Sequence, residues 1–495
     1  MALVTVWLVT IWWLSFITAI ALCVGSFLNA VIYRLPRDQS LRSPLWSMCP
    51  SCKHRIHWYD NIPILSFVML RGRCRHCTVP IGTHYVVVEI LMALVVLMLL
   101  DAFFIGHVRN GMSQSQFGLT DHLAADWPML VAHVTLFACL LPMSIIDLEH
   151  YWVDIRFTNV ATVVGFAMHT IWTPRHAAEW IRPSDSTAAM AIAAMIGLLV
   201  TWAWLKYTHL VDETLDDATE VSPTSETQKK RRLPPSLATP SRAAAWIAAA
   251  LLGAKLFALL IDETGTADLR HTGRALLPLL FIFALIVWEF TAQRPADQEI
   301  ADAIHEERHN ARSMAFSELV LLSPALILGL IGWWVTAHAD GGANPIGDTL
   351  HARIDVLGMR HWTPMLGFST AASGYIIAGG LGWAIRILFT LIFGKEAFGT
   401  GDIHLMAAAG AVTGWQIVVL GFLLTCGLAI LGWIVSLPFK KTRAIPLGPW
   451  LSLAFLTVVV YYDSIVAWPV VQRVIYLTNA LLAENSQFPA MEGIR

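Results

Sequence analysis

The chain has 495 residues, 56% of them hydrophobic and 14% charged, with 21 tryptophans and a net charge of −2. Its mean hydropathy of +0.60 excludes a soluble enzyme of this length. It implies an all-α, polytopic helical membrane protein, because helices satisfy their own backbone groups in lipid without strand closure. The net charge names no partner and nothing in the chain points to nucleic acid, so the partner that composition implies is the lipid bilayer.

About twelve apolar segments have roughly the 20-residue length that spans a bilayer core. In chain order they lie near 4–33, 85–106, 127–146, 157–173, 187–206, 243–262, 273–291, 317–338, 367–393, 404–415, 416–438 and 446–462. The first lacks a basic n-region and a small-residue cleavage site, so it reads as a retained span and not a removed signal peptide. Between the first two spans, residues 34–84 form a compact basic loop holding Cys49-x2-Cys52 and Cys74-x2-Cys77. Four thiolates in two such pairs suit a closed tetrahedral zinc site, with metal binding supplying folding energy that a small loop lacks. His54, His57 and His76 in the same loop are spare ligands for that tetrad, while Cys23, Cys139 and Cys426 lie within apolar spans and read as packing residues.

Beyond a membrane core at 85–206, residues 207–365 form an unusually long excursion. It opens on a polar, proline-broken linker read as disordered, and residues 293–315 look like a short charged helix. A second core follows at 366–465 and a tail at 466–495. Basic residues crowd three loops: Arg34 to Arg75, Lys229 to Arg232, and Lys440 to Arg443. The positive-inside rule puts those loops in the cytoplasm and the N-terminus outside. Counting spans then brings Asp147, after the apolar run 136–146, and Asp402, in Gly399-Thr400-Gly401-Asp402, to the same cytoplasmic face.

Ionisable groups at the edge of hydrocarbon are expensive and mark functional sites. Two carboxylates sharing a site titrate as a pair, with one ready to act as general base and the other as general acid. Asp147 and Asp402 are therefore the candidate catalytic residues. Gly399 and Gly401 would admit a substrate backbone beside Asp402, and His404 would tune the pair. Asp154, seven residues after Asp147 and so on one helical face with it, Glu149 and Glu89 are candidate supporting acids.

Several stretches resemble type IV prepilin peptidases. They are Gly25-Ser26-Phe27-Leu28-Asn29-Ala30 through Pro36, the cysteine tetrad with Asn61-Ile62-Pro63-Ile64-Leu65-Ser66 and Leu70-Arg71-Gly72-Arg73, the block from Ile81 to Glu89, the GxGD run, and Ile445-Pro446-Leu447-Gly448-Pro449. The resemblance covers about 1–175 and 365–465. It implies an inner-membrane aspartic endopeptidase that cuts the basic leader from type IV pilin-like precursors, in pilus or type II secretion systems, and that often N-methylates the new amino terminus with S-adenosylmethionine. Two positions depart from the family pattern. His404 stands where a lysine is usual, and the stretch from Asp147 to Asp154 lacks a proline and is one residue shorter. A catalytically silent, zinc-stabilised scaffold of a pilus or secretion machine is the competing reading.

Overall fold

The computed structural model describes residues 2–42, 46–105, 119–172, 183–207, 242–261, 268–291, 311–337, 364–394, 398–439 and 445–473. The linker, the charged segment at 293–310, the glycine-rich loop near 338–363 and the C-terminal tail lie outside them. The described residues hold helices and no named strand. These are α1 (Ala2–Arg34), a short α2 (Leu65–Met69), α3 (His84–Leu100), α4 (Leu119–His150), α5 (Ile155–Ile171), α6 (Asp185–Tyr207) and α7 (Arg242–Ile261). There follow α8 (Asp268–Thr291), α9 (Ala311–Ala337), α10 (Pro364–Phe393), α11 (Thr400–Thr413), α12 (Trp415–Ser436), α13 (Gly448–Val460) and a short α14 (Tyr462–Val466).

Each of the twelve expected spans coincides with a helix, but eight described helices are long and apolar enough to cross a membrane. The other four fall outside those eight. At 1.5 Å per residue, the 14 residues of α11 reach about 21 Å, short of a core of about 30 Å. α13 is 13 residues and α5 is 17, while α7 is 20 residues long. The chain breaks between α11 and α12 at Gly414, whose φ of 92° lies in the region that side chains avoid.

α3 is apolar all round, and its residues from Val86 to Leu100 are buried, the expected state of a helix without a polar face. α1, α4 and α7 pack around it. It continues into a π-helical turn, Asp101–Ile105, where Asp101 pairs with Lys255 of α7. Both side chains are almost wholly buried, so this pair fastens the first helix of the long excursion to the core.

α10 presents small residues to α5 and α11. A Cβ on Gly374 would lie 1.9 Å from the carbonyl oxygen of Gly410, so these two backbones touch directly. Such close approach is the usual membrane solution where dispersion and not hydrophobicity drives packing. It fixes α11, and with it Asp402.

Candidate active site

Asp147 is placed by the last turn of α4. Pro142 removes a backbone hydrogen bond one turn earlier, and the Ser144 hydroxyl donates to Ser452 on α13 at 2.8 Å, tying the two helices beside the site. The backbone N–H of Gly448, the first residue of α13, donates to Asp147 Oδ2 at 3.0 Å. A Cβ on Gly448 would meet the same oxygen at 2.8 Å, so the carboxylate sits where only glycine leaves room.

Asp402 stands in the first turn of α11, after Gly399 in extended backbone at φ −68° and ψ 141°. The residue is partly exposed, yet its Oδ1 is shielded from solvent and has no hydrogen-bond partner among the described residues. Asp402 interacts electrostatically with Asp147, 255 residues earlier, and α4 packs against α11. A carboxyl oxygen held out of water without a donor is ready for a proton or an incoming hydrogen bond.

The two glycines of the motif differ. A Cβ on Gly401 would lie 2.5 Å from the Val153 Cβ, so Gly401 lets the α4–α5 connection close over the start of α11. A Cβ on Gly399 would meet Asp402 Oδ2 at 3.4 Å, ordinary contact that leaves that position free for other needs. His404 follows within the same helix and is half-buried.

Asp154 does not share a helical face with Asp147. α4 stops at His150, Tyr151 turns into the left-handed region at φ 52°, and Asp154 becomes the N-cap of α5. Its Oδ1 accepts from the Arg156 N–H at 2.8 Å, and the Arg156 guanidinium closes on both carboxyl oxygens. Asp154 thus caps a helix start, a structural role for an acid at this position. Glu149 lies 3.6 Å from the His150 ring. Glu89 is buried in α3 and accepts from the Ile64 N–H at 2.8 Å, while a Cβ on Gly25 would run into the Glu89 backbone at 2.7 Å. Glu89 therefore joins α1, α3 and the cysteine loop.

Sequence reasoning quoted Gly448 as a family marker without giving it a place in the site. It missed Arg386 altogether. This buried arginine of α10 donates to the Phe398 carbonyl at 2.6 Å, just ahead of the GxGD run, and grips the carboxylate of Glu318 on α9. The signal was a lone cation inside an apolar span. Replacing Arg386 with Met should lower stability by about 3 kcal/mol, the usual cost of stripping one partner from a buried pair. Thermal unfolding of the detergent-purified protein reads this, and Arg386→Lys should recover less than half of it because lysine lacks the fork.

In the cysteine loop the two pairs form matching turns. The Lys53 N–H donates to the Cys49 carbonyl and the Thr78 N–H to that of Cys74, with Lys53 and Thr78 at φ 57° and 55°. Donor atoms of Cys49, Cys52, Cys74 and Cys77 all lie within 4.8 Å of one another. Cys49 and Cys77 Sγ are 3.8 Å apart. A tetrahedron with zinc–sulfur arms of about 2.3 Å has edges of about 3.8 Å, so the tetrad fits such an ion. The three histidines do not substitute into it but gather as a separate group. Cys52→Ser is expected to lower the metal bound to the tetrad and to open the loop to protease, read by elemental analysis and limited digestion.

Two family models match the chain: the bacterial peptidase A24 N-terminal domain over residues 19–103, and the type IV leader peptidase family over residues 353–435. The resemblance to type IV prepilin peptidases holds. Asp402 falls within the second match, whereas Asp147 and Gly448 fall outside both and join the site through the fold. A prepilin leader peptidase/N-methyltransferase of Myxococcus xanthus is 40% identical over 153 residues, covering 31% of this chain and 39% of the relative. One from Vibrio cholerae is 44% identical over 85 residues, 16% of this chain and 34% of the relative. The type 4 prepilin-like proteins leader peptide-processing enzyme of Escherichia coli is 33% identical over 196 residues, 35% and 60% respectively. The chain thus spans between about a third and three fifths of the length of these relatives. No solved structure matches it.

Proposed function

We propose that the chain is an intramembrane aspartic endopeptidase that removes the basic leader from type IV pilin-like precursors at the cytoplasmic face of the inner membrane. The observation that carries this reading is the electrostatic coupling of Asp402, set in the Gly399–Gly401 turn, to Asp147, held by the Gly448 N–H. In the proposed reaction one carboxylate takes a proton from water, which attacks the scissile carbonyl, while the other, protonated, donates to the carbonyl oxygen. The proton then passes to the leaving amine. Gly448 orients Asp147 through its N–H, and the open space over Gly399 admits an extended backbone.

The tetrad would hold a structural zinc ion, with the loop and the active site facing the cytoplasm and the N-terminus outside. Methylation of the new amino terminus from S-adenosylmethionine belongs to the same reading, supported by relatives that are named leader peptidase/N-methyltransferases. Residues 207–365 act in it as a scaffold fastened by Lys255 and Glu318.

Incubating the full chain, reconstituted in bilayers, with a pilin-like precursor tests the proposal. A product lacking the leader, detected by mass, is expected. An intact precursor after prolonged incubation would favour the silent scaffold.

A further inference from the structure

We propose that His54, His57 and His76 form a second, solvent-open site for a borderline divalent cation such as zinc or nickel, beside the cysteine tetrad and distinct from it. Nothing in the proposed peptidase reaction uses these residues, and the inference stands apart from that reaction. The geometry carries it. One ring nitrogen from each of the three lies within 4.8 Å of the others, and all three residues are exposed.

The positions are held by the fold of the loop and not by chance side-chain drift. His54 is anchored through its carbonyl, which accepts from the Cys49 N–H at 3.0 Å. His76 sits inside the second turn, between Cys74 and Cys77. His57 precedes the helical turn Trp58–Asp60 and stacks on Tyr59 at 5.2 Å with the rings 8° from parallel. The rings of His54 and His76 lie 3.5 Å apart, so nitrogens from the two cysteine turns stand side by side.

Magnitudes favour closure on an ion. Imidazole–zinc arms of about 2.1 Å give a tetrahedral edge of about 3.4 Å. The three donors need to draw in by no more than about 1.4 Å, well within the reach of exposed side-chain rotations. Three imidazoles suit zinc, copper or nickel, and leave at least one coordination position to water. The loop is basic, which opposes a cation, but Asp60 offsets part of that charge. Its carboxylate interacts with His57 and His76 while paired with Arg75 at 2.6 Å. The ion would link the first cysteine turn to the second on the water side, as the tetrad does on the inner side.

The test uses full-length protein in detergent, equilibrated with zinc, passed over a desalting column and assayed for metal per chain. Wild type should carry two ions and His57→Ala one. Cobalt loading checks that the tetrad survives, because only thiolate ligands give the intense sulfur-to-cobalt charge-transfer band. That band should be unchanged in His57→Ala and weakened in Cys52→Ser. A single ion in wild type would overturn the proposal. So would two ions in His57→Ala, which would place the second elsewhere. Loss of the charge-transfer band together with the second ion would also overturn it, by making the histidine part of the tetrad's own fold.

Discussion

Asp402→Asn should abolish leader removal, with cleavage at least about 10³-fold below wild type, and Asp147→Asn should do the same. An asparagine keeps the shape of the side chain but cannot exchange a proton, and proton transfer by a positioned group contributes about 10² to 10⁴ in rate. Because the two residues act as one unit, the double variant should be no worse than either single one. Cleavage by either variant at the wild-type rate, measured on a precursor in bilayers, would remove the dyad from the mechanism. Circular dichroism and thermal unfolding guard against loss of fold. Asp402→Asn should leave stability nearly unchanged, since it removes no hydrogen bond from the shielded Oδ1.

Gly448→Ala is the second large effect expected. The added methyl carbon would stand 2.8 Å from Asp147 Oδ2, a distance that no real contact of this kind sustains. Either α13 withdraws and the 3.0 Å hydrogen bond from its first N–H is lost, or the carboxylate swings aside. A displacement near 1 Å at a catalytic group costs about 10²-fold, so cleavage should fall by about that factor while the helices remain. The contrast with Gly399→Ala is diagnostic. There the new carbon would make only ordinary contact, and a loss under about 10-fold is expected. Equal losses at the two positions would show that contact with Asp147 is not what Gly448 provides.

Much of the helical plan could be read from hydropathy, because lipid imposes one rule on every residue of a span. Depth was harder to read. The runs at 404–415 and 446–462 look like spans in sequence, yet their helices are 14 and 13 residues long, since Gly414 and Tyr461 end them where neighbouring helices supply cover. Asp402 was conspicuous as a carboxylate flanked by glycines. Gly448 was visible only as a motif, because its value lies in a contact with a side chain 301 residues earlier in the chain. Asp154 misled for a local reason. A seven-residue spacing implies one helical face only if the helix continues, and Tyr151 ends it. Arg386 could have been suspected from its cost in an apolar span, but nothing in the sequence tells which carbonyl a buried guanidinium will hold.

The buried pairing of Lys255 with Asp101 bears on how the chain tolerates rearrangement. The long excursion is not an appendage that can be trimmed away without loss to the rest of the fold. Excising it would take the lysine away from an aspartate lodged at the end of the central helix, and would take Glu318 away from Arg386. Cutting the backbone within 208–241 leaves every one of those contacts intact. Two separately synthesised pieces, divided there, therefore carry Asp101 on one and Lys255 on the other, a complementary pair that would select each other in lipid, whereas deletion of 207–365 would leave both Asp101 and Arg386 needing new partners.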